Sequence, residues 1–244
     1  MWLNIPVNGG MYWPREKHII EYKGEEITLS PPTKENMPSI HIEYDGYSTW
    51  EKQTLINELL SIIAWKSDQP AVVDDGGLGT ILFRNIPRNG KQIYWSTIID
   101  YPKKFTYIED EKKRLAIALY REGLNINSAP YQFLSFFKII NIRYQDKWIK
   151  KKNEIVNWIK ENIDKISSST NKEILLKLRE SNIDISMHLY SDCRCAIAHA
   201  NQKPIVNPDD SVEIYNLYND IGIIRELAGY FIETEMKVSR FIYD

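Results

Sequence analysis

Over the first hundred or so positions the apolar residues come in short alternating runs, and beyond about residue 110 they recur three and four apart. The runs His18-Ile19-Ile20-Glu21-Tyr22, Glu26-Ile27-Thr28-Leu29 and Ile40-His41-Ile42-Glu43-Tyr44 read as strands, since alternation sends every second side chain to one face. Lys23-Gly24 is the hairpin turn between the first two. Leu55, Leu59, Ile62 and Ile63 keep helical spacing and predict one helix over about 49–66. Strands resume at Thr80-Ile81-Leu82-Phe83 and at Ile93-Tyr94-Trp95-Ser96-Thr97-Ile98-Ile99. Residues 1–109 are therefore expected to form a mostly-β module with one embedded helix.

The second part reads as helix throughout. Leu115, Ala118 and Leu119 lead a helix that ends near Gly123. Ser128 is an N-cap with Pro130 in the first turn, followed by the stripe Phe133, Leu134, Phe137, Ile140 and Tyr144. Ile155, Trp158, Ile159, Ile163 and Ile166 continue it, as one long helix or two end to end. Ser167-Ser168-Ser169-Thr170 is a capping turn before a short helix through Ile174, Leu175 and Leu178. A further helix is expected over 182–200. The stretch from Lys203-Pro204 to Tyr215 reads as a loop or small hairpin, turning at Asn207-Pro208-Asp209-Asp210. A last helix is expected over about 219–240, through Ile223, Ile224, Leu227, Tyr230 and Phe231. The fold class is α+β, with an all-α antiparallel bundle over residues 110–244.

The segment 182–200 carries the candidate chemistry. At 100° per residue, Ile183, Met187, Tyr190 and Ile197 fall within about 80° of one another, with Arg194 among them. Ile185, Leu189 and Ala196 lie opposite, so the helix is apolar on two sides and belongs at a bundle centre or an interface. An arginine in an apolar sector is costly unless paired. Either it meets a carboxylate (Glu180, Asp184, Asp192 or one on the last helix) or it awaits an anionic ligand. His199 follows five residues on, as a proton-transfer group or a helix-end cap. Asn201 supports its ring or caps the helix, and His188 is expected to pack beside Met187.

Composition narrows the classes. The chain has 244 residues, 43% hydrophobic and 26% charged, which excludes wholesale disorder. No run of about 18 apolar residues predicts a membrane span. The start Met1-Trp2-Leu3-Asn4-Ile5-Pro6 shows no secretory pattern, and the two cysteines form no disulfide framework, so a cytoplasmic setting is expected. A net charge of −2 gives no global argument for nucleic acid. Lys150-Lys151-Lys152, with Lys147 and Arg143, is the densest basic cluster and reads as a solvated face.

The string Arg194-Cys195-Ala196-Ile197-Ala198-His199, an Arg-x4-His on a late helix of a helical bundle, resembles the motif of HEPN domains. Cys193-Arg194-Cys195-Ala196-Ile197-Ala198-His199-Ala200 resembles more closely the methylamine-utilisation-J-like branch, as does Pro130-Tyr131-Gln132-Phe133-Leu134-Ser135-Phe136-Phe137-Lys138. The resemblance covers roughly residues 110–244. It implies a ribonuclease, a hydrolase of toxin or antiviral-defence settings, that cleaves RNA such as tRNA as a homodimer and without a cofactor or metal. Arg194 and His199 would be catalytic, with Cys195, Asn201 and Asp192 supporting. Many active members have a polar residue, commonly Asn, after the arginine, where this sequence has Cys195. The alternative is therefore a catalytically silent HEPN-type subunit that dimerises or docks in a larger complex. Residues 1–109 would then sense a signal, bind a regulatory protein or position RNA.

The residue types suit that chemistry. Histidine transfers protons near neutral pH, and the arginine fork matches phosphate oxygens. A spacing of five puts the pair about 140° apart on an α-helix, so one copy makes a poor site and two copies across a two-fold axis make a better one.

Other patterns carry less. Asp74-Asp75-Gly76-Gly77-Leu78-Gly79-Thr80 lacks the Lys-Ser/Thr of a phosphate loop and reads as a hairpin turn. Cys193-x-Cys195 has no second pair, and His18 and His41 sit in separate strands, so no zinc signature appears. No Gly-x-Ser-x-Gly elbow supports a serine hydrolase. Trp2, Trp13, Trp50, Trp65 and Trp95 read as core or interface residues rather than a base-stacking platform.

Overall fold

The computed structural model describes residues 1–44, 46, 49–74, 76–79, 96–144, 151–199 and 206–240. They form two compact units. One contains Met1–Asn125 together with Ser239 and Arg240, and the other is Ile126–Val238.

In the first unit, alternating sequence becomes antiparallel sheet. Strands β1 (Trp2–Asn8), β3 (His18–Tyr22), β4 (Glu25–Ser30) and β5 (Ser39–Glu43) run in the order β3-β4-β5-β1. The short strands β6 (Val72–Val73) and β7 (Gly77–Gly79) both pair antiparallel with β1. Another short strand, β2 (Tyr12–Pro14), pairs in parallel with β8 (Ser96–Ile98). The expected strand at 80–83 lies outside the described residues, and β8 is the end of the one expected over 93–99.

Lys23-Gly24 makes the expected two-residue turn. Both have positive φ, 52° and 79°, which matches the twist of an antiparallel pair, and Tyr22 faces Glu25 across it. The glycine-rich stretch is not a hairpin. β6 and β7 follow one another along β1, with Gly76 at the break. A Cβ on Gly76 would lie 2.8 Å from the Asn4 carbonyl oxygen, so close backbone approach is what requires glycine there.

Helix α1 (Thr49–Ser67) matches the predicted helix and buries Ile56, Leu59, Leu60, Ile63 and Trp65. Lys52 and Glu58 tie it to the hairpin through Glu25 at 2.6 Å and Lys23 at 2.7 Å. Helix α2 (Glu111–Asn125) packs on α1. Arg121 there donates to Asn57 O, Asn57 Oδ1 and Ala71 O at 2.8–3.1 Å, and burial lowers its pKa to about 10. The Tyr120 ring meets Trp65 edge-on at 4.9 Å. Helix α2 thus belongs to the first compact unit, because it buries its apolar stripe on α1.

The second unit is helical. Helix α3 (Ala129–Asn141) begins after Ser128 with proline in its first turn, and a 3₁₀ turn at Ile142–Tyr144 follows it. Helix α4 spans Lys151–Asn162. Helix α5 (Ser169–Glu180) is capped by Ser168, whose hydroxyl accepts from Asn171 N. Then come α6 (Ile185–Met187), a π-helix over His188–Cys195, α7 (Ala196–Ala198) and α8 (Ser211–Thr234). The last helix starts at 211, not 219, and ends at 234. Asp210 caps it by accepting from Val212 N and Glu213 N, which turns the expected loop into its first turn. Helix α8 packs on α3; Leu217, Ile221, Ile224, Leu227 and Phe231 of α8 and Phe133, Phe136 and Phe137 of α3 are buried, and Trp158 of α4 meets Phe231 edge-on. No helix among the described residues is long and apolar enough to cross a membrane.

Candidate functional site

The segment expected as one regular helix over 182–200 is α-helical only at its two ends. Asp184 caps α6, accepting from Ser186 N and Met187 N, and Ile183 lies outside the helix and is exposed. From His188 to Cys195 the backbone is π-helical, hydrogen-bonding i to i+5. Residues five apart are therefore brought close to alignment, and the 100° wheel no longer holds. Ile185, Leu189, Cys193 and Ala196 are buried, while Met187, Tyr190, Arg194 and Ile197 are half-buried. Only one side of the segment is core.

Arg194 sits on the less buried side. Its guanidinium lies 5.7 Å from the Tyr190 ring centre, and its Nη1 donates to Cys195 Sγ at 3.6 Å. Lys152 Nζ stands 5.8 Å from the same ring, which Phe137 of α3 supports from its edge. None of the expected carboxylates pairs with the arginine. Asp184 is used as the cap, and Asp192 is held 3.2 Å from His188 Nδ1. Among the described residues no ion pair forms on Arg194 or Lys152.

His199 ends α7 in extended conformation, and its backbone N–H donates to Cys195 O at 3.0 Å. Its side chain is exposed and makes no hydrogen bond or ion pair among the described residues. No hydrogen bond or ion pair joins Arg194 to His199 among the described residues. Asn201 lies outside the described residues.

On the buried side a second constellation appears that sequence reading did not find. His188 Nε2 is 3.2 Å from Asp220 Oδ1, Cys193 Sγ is 3.4 Å from Asp220 Oδ2, and Sγ and Nε2 are 3.6 Å apart. His188 thus does not simply pack beside Met187. Asp220 is buried on α8, and Cys193 is buried and unbridged, as is the half-buried Cys195. The Asp220 hydrogen bond, opposed by burial and aided by Asp192, holds the His188 pKa above its ordinary value. Burial, then the Asp220 charge, pushes the Cys193 thiol far up. His188 and Cys193 are five apart, so the π-helix is what brings them together. Asp220 lies on another helix, beyond the reach of any local motif.

Residues 116–233 match the family model of the methylamine utilization protein MauJ. Both strings that resembled this branch, Pro130–Lys138 and Cys193–Ala200, fall inside the matched region. So do the π-helix and Asp220, so the MauJ match takes in the whole candidate site. No curated protein and no solved structure matches the chain.

Proposed function

We propose that the protein is a HEPN-type RNA endonuclease that works as a dimer, with Arg194 on the scissile phosphate and His199 in proton transfer. The observation that carries the reading is the Arg194–Tyr190–Lys152 patch. Two cations flank one half-buried tyrosine and no carboxylate neutralises either, among the described residues. Such a patch offers positive charge to a phosphate.

In this reading the 2′-oxygen attacks phosphorus, and the P–O5′ bond breaks. One histidine accepts the 2′ proton and a proton returns to the departing 5′-oxygen, which leaves a 2′,3′-cyclic phosphate. Arg194 balances the charge of the pentavalent phosphorane. Because no hydrogen bond or ion pair joins His199 to Arg194 among the described residues, a second copy supplies the missing partner in this reading. A toxin or defence role in a cytoplasm, tRNA as target, and regulation through residues 1–109 extend the same proposal.

The test is incubation with tRNA and single-stranded RNA without added divalent cation, with and without EDTA, beside Arg194→Ala and His199→Ala. Wild-type cleavage leaving 2′,3′-cyclic ends is expected, with each variant lowered by about a hundredfold or more. The variants should keep wild-type stability within about 0.5 kcal/mol, since neither side chain holds a buried ion pair. No cleavage by a folded dimer would favour the silent binding subunit, in which Cys195 engages the arginine instead of a substrate.

A further inference from the structure

We infer that His188, Cys193 and Asp220 form a zinc site with one coordination position left to water or another ligand. The site lies on the buried side of the π-helix and does not depend on the RNA reading of Arg194 and His199.

The geometry is the first argument. With Zn–S about 2.3 Å and Zn–N and Zn–O about 2.0–2.1 Å, a tetrahedral zinc has donor–donor edges of about 3.4–3.6 Å. Here Cys193 Sγ and His188 Nε2 are 3.6 Å apart, Asp220 turns Oδ1 to Nε2 at 3.2 Å and Oδ2 to Sγ at 3.4 Å, and one donor atom from each residue lies within 4.8 Å of the other two. The π-helix sets Sγ and Nε2 side by side, and both face the Asp220 carboxylate of α8. A cation held among the three side chains would take one donor from each.

The second argument is the outer hydrogen bond. Asp192 Oδ2 lies 3.2 Å from His188 Nδ1. A carboxylate accepting from Nδ1–H fixes the tautomer that leaves the Nε2 lone pair free, the usual support of a zinc-bound histidine. Nε2 then faces the other two candidate donors, a sulfur and a carboxylate oxygen.

The donor set selects the metal. One sulfur, one imidazole nitrogen and one carboxylate oxygen suit zinc and are foreign to magnesium and calcium, which take oxygen shells. Thiolate and carboxylate together balance the charge of Zn²⁺, with the Cys193 proton released to solvent on binding. Three protein ligands rather than four leave a vertex for an exogenous ligand. The sequence hides the site because its ligands come from a π-turn and from a helix 27 residues further on.

The test uses the full chain freed of metal with a chelator and titrated with Co²⁺, then Zn²⁺. Tetrahedral cobalt d–d absorption and a thiolate charge-transfer band should saturate at one equivalent, and zinc should displace both. Cys193→Ser should abolish the charge-transfer band, while Cys195→Ser leaves it intact. Asp220→Asn should weaken affinity by about a hundredfold and Asp192→Asn by about tenfold. X-ray absorption of the zinc-loaded wild type reads the shell without any variant, and one sulfur with nitrogen and oxygen neighbours is expected. A folded wild type with no thiolate band, a shell lacking sulfur, or a band lost with Cys195→Ser would each overturn the site.

Discussion

Each compact unit holds a histidine away from solvent, and the two have their pKa values moved in opposite directions. In the sheet unit His41 is fully buried on β5, with an amide and two hydroxyls at its ring nitrogens. Its Nδ1 donates to Asn4 Oδ1 at 2.7 Å, and its Nε2 faces the hydroxyls of Ser39 at 2.8 Å and Ser30 at 3.0 Å. The Asn4 amide is oriented in turn by its own donation to Trp2 O. Burial, with a smaller push from Lys17, lowers the His41 pKa to about 4. In the helical unit His188 has a carboxylate at each ring nitrogen, and its pKa moves the other way despite burial. Desolvation acts on both rings, so partner chemistry decides the outcome. A histidine locked neutral by amide and hydroxyls is architecture, whereas one flanked by carboxylates and a thiol has the makings of a site.

The comparison breaks most visibly at Asp220. Asp220→Ala in metal-free protein leaves His188 Nε2 and the Cys193 thiol without their acceptor, and about 3 kcal/mol of the helical unit's stability should go. Segment-resolved hydrogen exchange would show protection falling in α8 and the π-helix and staying unchanged in β1 and β5. Equal loss in both units would mean that Asp220 acts on the whole chain rather than on His188.

The next effect belongs to His41. Its unfolded pKa is the ordinary 6.5 and its folded value about 4. Between them the unfolded chain binds a proton that the folded sheet refuses, so stability falls as pH falls. The loss from this residue should reach about 2 kcal/mol between pH 6.5 and 5, before most carboxylates titrate. Exchange of β5 amides across that window measures it, and His41→Gln should flatten the slope. A slope that survives the substitution would assign it to another group.

Much of the sheet unit was legible because its information is local. The strands at 18–22 and 25–30 and the turn between them are written in alternation and in Lys23-Gly24. Helix α1 shows in its periodicity. The candidate site was half legible. Arg194 and His199 stand in a readable string, but the wheel that placed them assumed α-helical pitch, and nothing in His188–Cys195 announces i+5 bonding. Helix α8 was misread at its start although Asp210-x-x-Glu213 has the pattern of a capping box, because Asn207-Pro208 upstream suggested a turn that carries on. The acidic partner of His188 and Cys193 is a tertiary fact, set by how α8 packs.

The smallest effect isolates that local encoding. A Cβ on Gly24 meets nothing within 4 Å, while its φ is 79°. Gly24→Ala therefore changes no contact, and its whole cost is that of forcing an L-residue into the left-handed region, about 1 kcal/mol. The loss should appear in exchange of the β3–β4 hairpin and leave the helical unit untouched. Gly24→Asn, which tolerates that φ, should recover part of it. If Gly24→Ala proves neutral, the hairpin is held by Lys23–Glu58 and the strand register rather than by its turn, and its geometry, like that of the π-helix, comes from tertiary packing.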